Sequence, residues 1–266
     1  MSLVVQAFPL GHYRLKQVIK SEALKIMTLP STAIILGVTV VAGLLVTVLV
    51  ANAAIYPRDG LGFDSTQQAL TGMVVAALTA GVFGALLITA EYSSGTIRAT
   101  LAATPKRPTL LMAKIVVTTV ATVVFCELLS FASFFLGQTV LSSRGIPSAT
   151  LGSSGAFRAV FMTGLMIALL ALMSFGFGLI CRSTAAAIAT FAGVVFVLPL
   201  LVHAISEPDV RYLPPNILTN SIMSTVNQGG PGGIGPLSAG TGLLVMAIYA
   251  AIAVAAGAVL FVKRDA

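Results

Sequence analysis

Charge is what this chain has least of. Asp, Glu, Lys and Arg make up 9% of its 266 residues, against about 25% in a soluble domain, and that shortfall excludes an ordinary soluble protein. Strict alternation of apolar and polar residues is also missing, which excludes a transmembrane barrel. The only cysteines, Cys126 and Cys181, fall in different apolar runs and read as reduced, structural thiols. His12 and His203 are the only histidines. They lie most of the chain apart, so no metal site is expected. No lysine follows a glycine, so the Gly-Lys core of a phosphate-binding loop is absent. Ser, His and Asp form no nucleophile motif. No catalytic residue or cofactor is expected in this chain, and it is not expected to be an enzyme by itself. A cleavable signal-peptide pattern is lacking too: residues 1–11 are short and a basic stretch follows, so the first span is expected to act as the insertion signal.

What is present is apolar length. Hydrophobic residues make up 57% of the chain and the mean hydropathy is +1.02. Runs of about 17–25 apolar residues cross roughly 30 Å of hydrocarbon as helices, and lipid requires every backbone polar group to be satisfied internally. The expected fold class is an all-α polytopic integral membrane protein, a single domain over residues 1–266. Six spans are placed at about 33–54, 72–90, 110–138, 157–180, 185–205 and 239–262. With the N-terminus inside, only Arg58, Arg144, Arg158 and Arg211 of the 15 Lys and Arg fall outside. By the positive-inside rule both termini are then cytoplasmic. This placement accounts for the net charge of +7 without nucleic acid as a partner.

Residues 12–27 read as an interfacial helix. Leu15, Val18, Ile19, Ala23 and Ile26 share a face at helical spacing, while Lys16 and Lys20 can snorkel to the headgroups of membrane lipids. Glu22 sits on the apolar face. It is expected either to pair with Arg14, Lys25 or Lys106, or to take part directly in coupling to a partner. Pro30 ends this helix. The longest outer segment, 206–238, contains Pro214-Pro215, a stretch Asn216–Val226 suited to one or two short helices, and a Gly/Pro-rich connector, Gly229–Pro236.

Glu127 is the one acid deep in a span. A charge there costs about 2.5–3.5 kcal/mol on insertion scales. It is read either as a lining residue of a translocation path or gate, contacting Arg158 or Arg211, or as a protonated acid hydrogen-bonded to a neighbouring helix. Small residues at Ala77, Gly81 and Ala85, and at Ala253 and Gly257, allow close helix packing. That packing is expected chiefly within the chain.

Residues 91–108 form a compact polar, basic loop between two apolar runs. Ser93 or Ser94 can cap a short helix reaching about Ala103, stopped by Pro105. The residues alone leave open an ordinary hairpin tip whose charges only fix topology. Glu91-Tyr92-Ser93-Ser94-Gly95-Thr96-Ile97-Arg98, followed by Leu101, Pro105 and Arg107, resembles the signature after the second span of ABC type-2 permeases, small actinobacterial ones in particular. Ser21-Glu22-Ala23-Leu24-Lys25 resembles the family's Ser-Glu-Trp-x-Lys element, with Ala23 in place of the frequent aromatic. The resemblance implies a permease subunit of an ATP-driven exporter in a bacterial plasma membrane, forming its translocation path, and the apolar spans suggest a hydrophobic or amphipathic substrate such as a drug, lipid or peptide. Its implied partners are a second permease copy, identical or paralogous, and two copies of a separate ATP-binding subunit, where ATP and Mg would reside. The implied coupling residues are Glu91, Thr96, Ile97, Arg98, Leu101, Arg107 and Glu22. Ile97 and Leu101 are expected to serve as apolar anchors, and Glu91 and Arg98 as charged contacts. The rival reading is a non-transporting membrane anchor or regulatory partner of a cytoplasmic enzyme.

Overall fold

The computed structural model describes residues 15–57, 62–103, 107–205, 210–224 and 237–263. His12, Arg14, Arg58, Pro105, Lys106, the run Gly229–Pro236 and the tail pair Arg264–Asp265 lie outside these residues, as does the side chain of His203. The chain runs through α1 (Leu15–Thr28), α2 (Pro30–Ala53), α3 (Ser65–Leu70), α4 (Gly72–Ser93), α5 (Thr96–Ala103), α6 (Arg107–Ser143), α7 (Ala156–Cys181) and α8 (Thr184–Ala192). A π-helical stretch, Gly193–Val197, leads into α9 (Leu198–Ile205), and a short 3₁₀ turn, Val210–Tyr212, precedes α10 (Pro214–Ile222) and α11 (Ala239–Lys263). No strand occurs among the described residues.

Six of these helical segments are long and apolar enough to cross a membrane: α2, α3 with α4, α6, α7, α8 through the π stretch into α9, and α11. The protein is a multi-pass, all-α membrane protein. The polar backbone of each span is consumed by its own helix, as lipid requires. At the start of α2, Pro30 occupies the first turn after an extended Leu29, where its missing N–H has no partner to lose.

α7 is the central post. Within its most apolar window 72% of the residues are buried, against 17% in α2. It packs against α4, α6, α8, α10 and α11, and small residues allow the close approach. A side chain added at Gly176 would strike the backbone of Ala253, and one at Gly257 would strike Leu179. The Ala253–Gly257 pair therefore serves packing within the chain, as expected, and Gly81 does the same by accommodating the ring of Phe191 on α8. Cys126 is buried and Cys181 partly so, and both are free thiols.

Three spans differ from their sequence assignments. α6 has 37 residues, about 55 Å at 1.5 Å per residue, so it outruns the bilayer core and extends a few residues past the expected ends near 110 and 138. The fifth span is not a uniform helix over 185–205, because a π stretch widens it at Gly193–Val197. The second is entered through a separate short helix, α3.

One end of the bundle is fastened by side chains that satisfy loop backbone. Asp64 caps α3 by accepting from the amides of Thr66 and Gln67 (2.9 and 3.1 Å), and its other oxygen accepts from the Ser224 amide at 2.7 Å. Arg158 donates to the carbonyls of Met223 and Ser224, and Arg144 to those of Ala51 and Ala54. The other end carries α1, α5 and the start of α6.

Candidate functional site: a buried charge network beneath a short helix

At that second end four charged side chains meet. Glu22 and Lys25 come from α1, Glu91 from the last turn of α4, and Lys114 from the second turn of α6. Lys114 Nζ lies 2.7 Å from Glu22 Oε2 and 2.5 Å from Glu91 Oε1. Lys25 Nζ lies 2.8 Å from Glu22 Oε1 and 3.2 Å from Glu91 Oε1. Two acids and two bases thus cancel within one site, which is what burial of charge demands. Lys114 is only 3% exposed. Beside the four lies a cavity of about 30 Å³, room for ordered water, and Glu91 Oε2 has no protein partner among the described residues.

The electrostatics follow from the pairing. Burial pushes the Glu22 carboxyl up, but the attraction of Lys114 and the hydrogen bonds from Lys114 and Lys25 outweigh it and hold the group below its ordinary value of 4.5. Burial likewise pushes Lys25 down. Its bond to Glu22 and its attraction to Glu91 reverse that and hold the ammonium above 10.5.

The loop motif after α4 is accounted for residue by residue. Tyr92 lies beneath the guanidinium of Arg182, 5.5 Å from ring centroid to cation. The Ser94 hydroxyl turns back to the Ala90 carbonyl at 2.7 Å and meets the Thr96 hydroxyl at 2.9 Å. Ser94 thus closes α4 instead of capping α5. Gly95, at φ +71°, supplies the left-handed residue that ends a helix at little steric cost. α5 then packs its apolar side inward. Ile97 is 4% exposed in a cluster with Val18, Ile88 and Leu110, and Leu101 packs against the same cluster. Thr100 accepts from Lys25 at 3.3 Å, which ties α5 to the network.

Several expected roles change accordingly. Glu22 does pair with Lys25, but its second partner is Lys114, which the sequence presents only as a basic residue near a span end. Arg14 and Lys106, its other suggested partners, lie outside the described residues. Glu91 is not an exposed docking contact, because both helices beside it bury it. Ile97 is not a free anchor either, and Leu101 shares its inward face one turn on. The exposed face of α5 consists of Thr96, Arg98, Ala99 and Ala102. Arg107 is tied to the far end of the chain, donating to the Val262 carbonyl of α11 at 3.2 Å.

Glu127 stands apart, 13 residues beyond Lys114 on α6 and so about 20 Å further along the helix. Its carboxyl lies against Gly164 of α7, where an added Cβ would come within 2.7 Å of both Cδ and Oε2. Both oxygens are buried with no hydrogen-bond partner among the described residues. Neither suggested cation reaches it. Arg158 holds the Met223 and Ser224 carbonyls, and Arg211 lies over the ring of Tyr212. The alternative hydrogen bond to a neighbouring helix is not formed either among the described residues.

Among the described residues no group of three metal-ligating side chains occurs. A family described as a protein of unknown function (DUF2705) matches residues 54–266. No curated protein matches the chain.

Proposed function

The chain belongs to the DUF2705 family, and we propose that it is the membrane-spanning subunit of an ATP-driven exporter. In this reading a separate ATP-binding subunit docks on the exposed face of α5, a second permease copy completes the path, and the cargo is hydrophobic or amphipathic. ATP and Mg belong to the partner. The α5 end is cytoplasmic, in keeping with its lysines and arginines.

The observation that carries this reading is the mounting of α5. An eight-residue helix is too short to persist alone in water, yet it is fixed by an apolar face and by Thr100 bonded to Lys25. Its outward face is left to a partner. Lys25 continues through Glu22 and Glu91 to Lys114, so a push on α5 is delivered to α1, α4 and α6 together. Ion-pair networks and packed side chains of this kind can carry coupling between the element a partner binds and the elements that line a path. A hairpin tip that only fixed topology would not require buried ion pairs.

The test is purification of the chain from its native membrane, with assay of the purified material for a co-purifying P-loop ATPase. Wild type should retain the ATPase. Arg98→Glu combined with Ala102→Glu, both at exposed positions, should insert and melt normally yet lose it, since truncating or opposing an interface anchor costs about 2 kcal/mol or more of binding. Should wild type retain no ATPase, the exporter reading falls and the membrane-anchor reading takes its place. A double variant that binds as wild type does would remove α5 as the docking element.

A further inference from the structure

Between α1 and α6, on the outer wall of the bundle, lies a groove of about 280 Å³, close to the lower end of the range for small-molecule sites. Ile19, Ala23 and Met27 form one side and Val116, Val120 and Ala121 the other, and every residue lining it is apolar. The groove continues into the wall of α6 along Val116, Val120, Val124 and Leu128, one turn apart, which are 40%, 58%, 53% and 66% exposed. At its α1 end the stripe that includes Ala23 and Met27 begins with Lys16 and Lys20, at helical spacings of four and three. Both lysines are exposed, and among the described residues neither forms an ion pair. Glu22 and Glu91 are engaged by Lys25 and Lys114, Asp64 is at the other end of the bundle, and Glu127 lies against Gly164.

We propose that this groove is a binding site for an anionic phospholipid, with one acyl chain between α1 and α6 and the phosphate at Lys16 and Lys20. The occupant is set by complementarity at both ends. Two cations without an ion pair among the described residues lie at the head of the groove, on a helix of interfacial character, and the other end opens onto a wall that faces hydrocarbon. An extended partner peptide would have to satisfy its backbone in that setting, whereas an acyl chain has nothing to satisfy. The proposal is independent of the exporter reading. It does place the lipid on the helix that carries Glu22 and Lys25, so occupancy would stiffen the charge network from the membrane side.

The experiment is native mass spectrometry of the delipidated full chain in detergent, titrated with phosphatidylglycerol or phosphatidylcholine. Two lysines near an anionic headgroup predict a preference of roughly thirtyfold for phosphatidylglycerol in the tightest-bound lipid. Lys16→Gln with Lys20→Gln should abolish the preference while leaving weaker binding of both lipids. Ala121→Phe, which fills the groove, should lose the tight site for both, and Ala23→Leu from the opposite wall gives the same reading if the first variant is not monodisperse. Equal binding of the two lipids by wild type, or an unchanged preference in the double lysine variant, would overturn the site. Tight binding that survives both groove-filling variants would do so as well.

Discussion

Lys114 is a cation held almost wholly out of solvent between two carboxylates from different helices. Removing one member of a buried ion pair strands the others, at a cost of about 3–5 kcal/mol. Lys114→Met should therefore destabilise the protein by about that amount in equilibrium unfolding in mixed micelles, far more than a topology-signalling lysine would. The network also sets a pH window. Glu22 is held below its ordinary 4.5, so its contribution is present above that value and is lost as pH falls through the lower, folded value. Lys25 is held above 10.5, so its contribution is present below that value and is lost as pH rises through the folded one. Melting temperature should thus be level between these limits as far as the network is concerned, and Glu22→Gln should flatten the acid limb. At Glu127 the decisive contact is Gly164. Gly164→Ala must displace the carboxyl, so if Glu127 serves transport, Gly164→Ala and Glu127→Gln should impair export alike while insertion is unchanged. Normal export in both variants would make Glu127 a packing residue.

Among the elements, α5 shows how a short polar segment keeps its shape. It starts from the left-handed Gly95, whose added Cβ would meet nothing within 4 Å, so the demand there is conformational and not steric. Gly95→Ala should cost about 1–2 kcal/mol from the left-handed backbone alone, with Gly95→Asn milder, read from melting curves of the purified chain. α6 serves both sites. Its first turns stand among α1 and α5 and carry Lys114, while further along the same rigid helix is Glu127. A 37-residue helix without Pro beyond its first turn has no built-in kink, so movement at its start is carried along its length.

For the whole molecule, six spans place the α4–α5 turn and the α6–α7 loop on opposite sides of the membrane. In a variant lacking Cys126 and Cys181, a cysteine at Ser148 should react with an impermeant reagent added outside intact cells, and one at Ser94 should not. The reverse labelling pattern would invert the orientation without altering the fold. Much of this scale was legible beforehand, because hydropathy is a sum along a segment and needs no knowledge of neighbours. The span count, the helix before the first span and the short helix after the second were all readable in this way.

What the sequence by itself determined is the class of the molecule, the number of its spans and the place of the polar, basic loop at 91–108. Scarce charge and long apolar runs leave lipid as the only suitable solvent. What only the tertiary structure decided is which side chains face one another. Lys114 and Glu22 are 92 positions apart, and nothing local distinguishes a lysine that marks topology from one that neutralises two buried acids. Periodicity shows that Ile97 and Leu101 share a face, but whether that face meets a partner or the chain's own core depends on α1, α4 and α6 being packed beneath it. Glu91 reads as exposed because its neighbours in sequence are polar, and it is buried because its neighbours in space are helices.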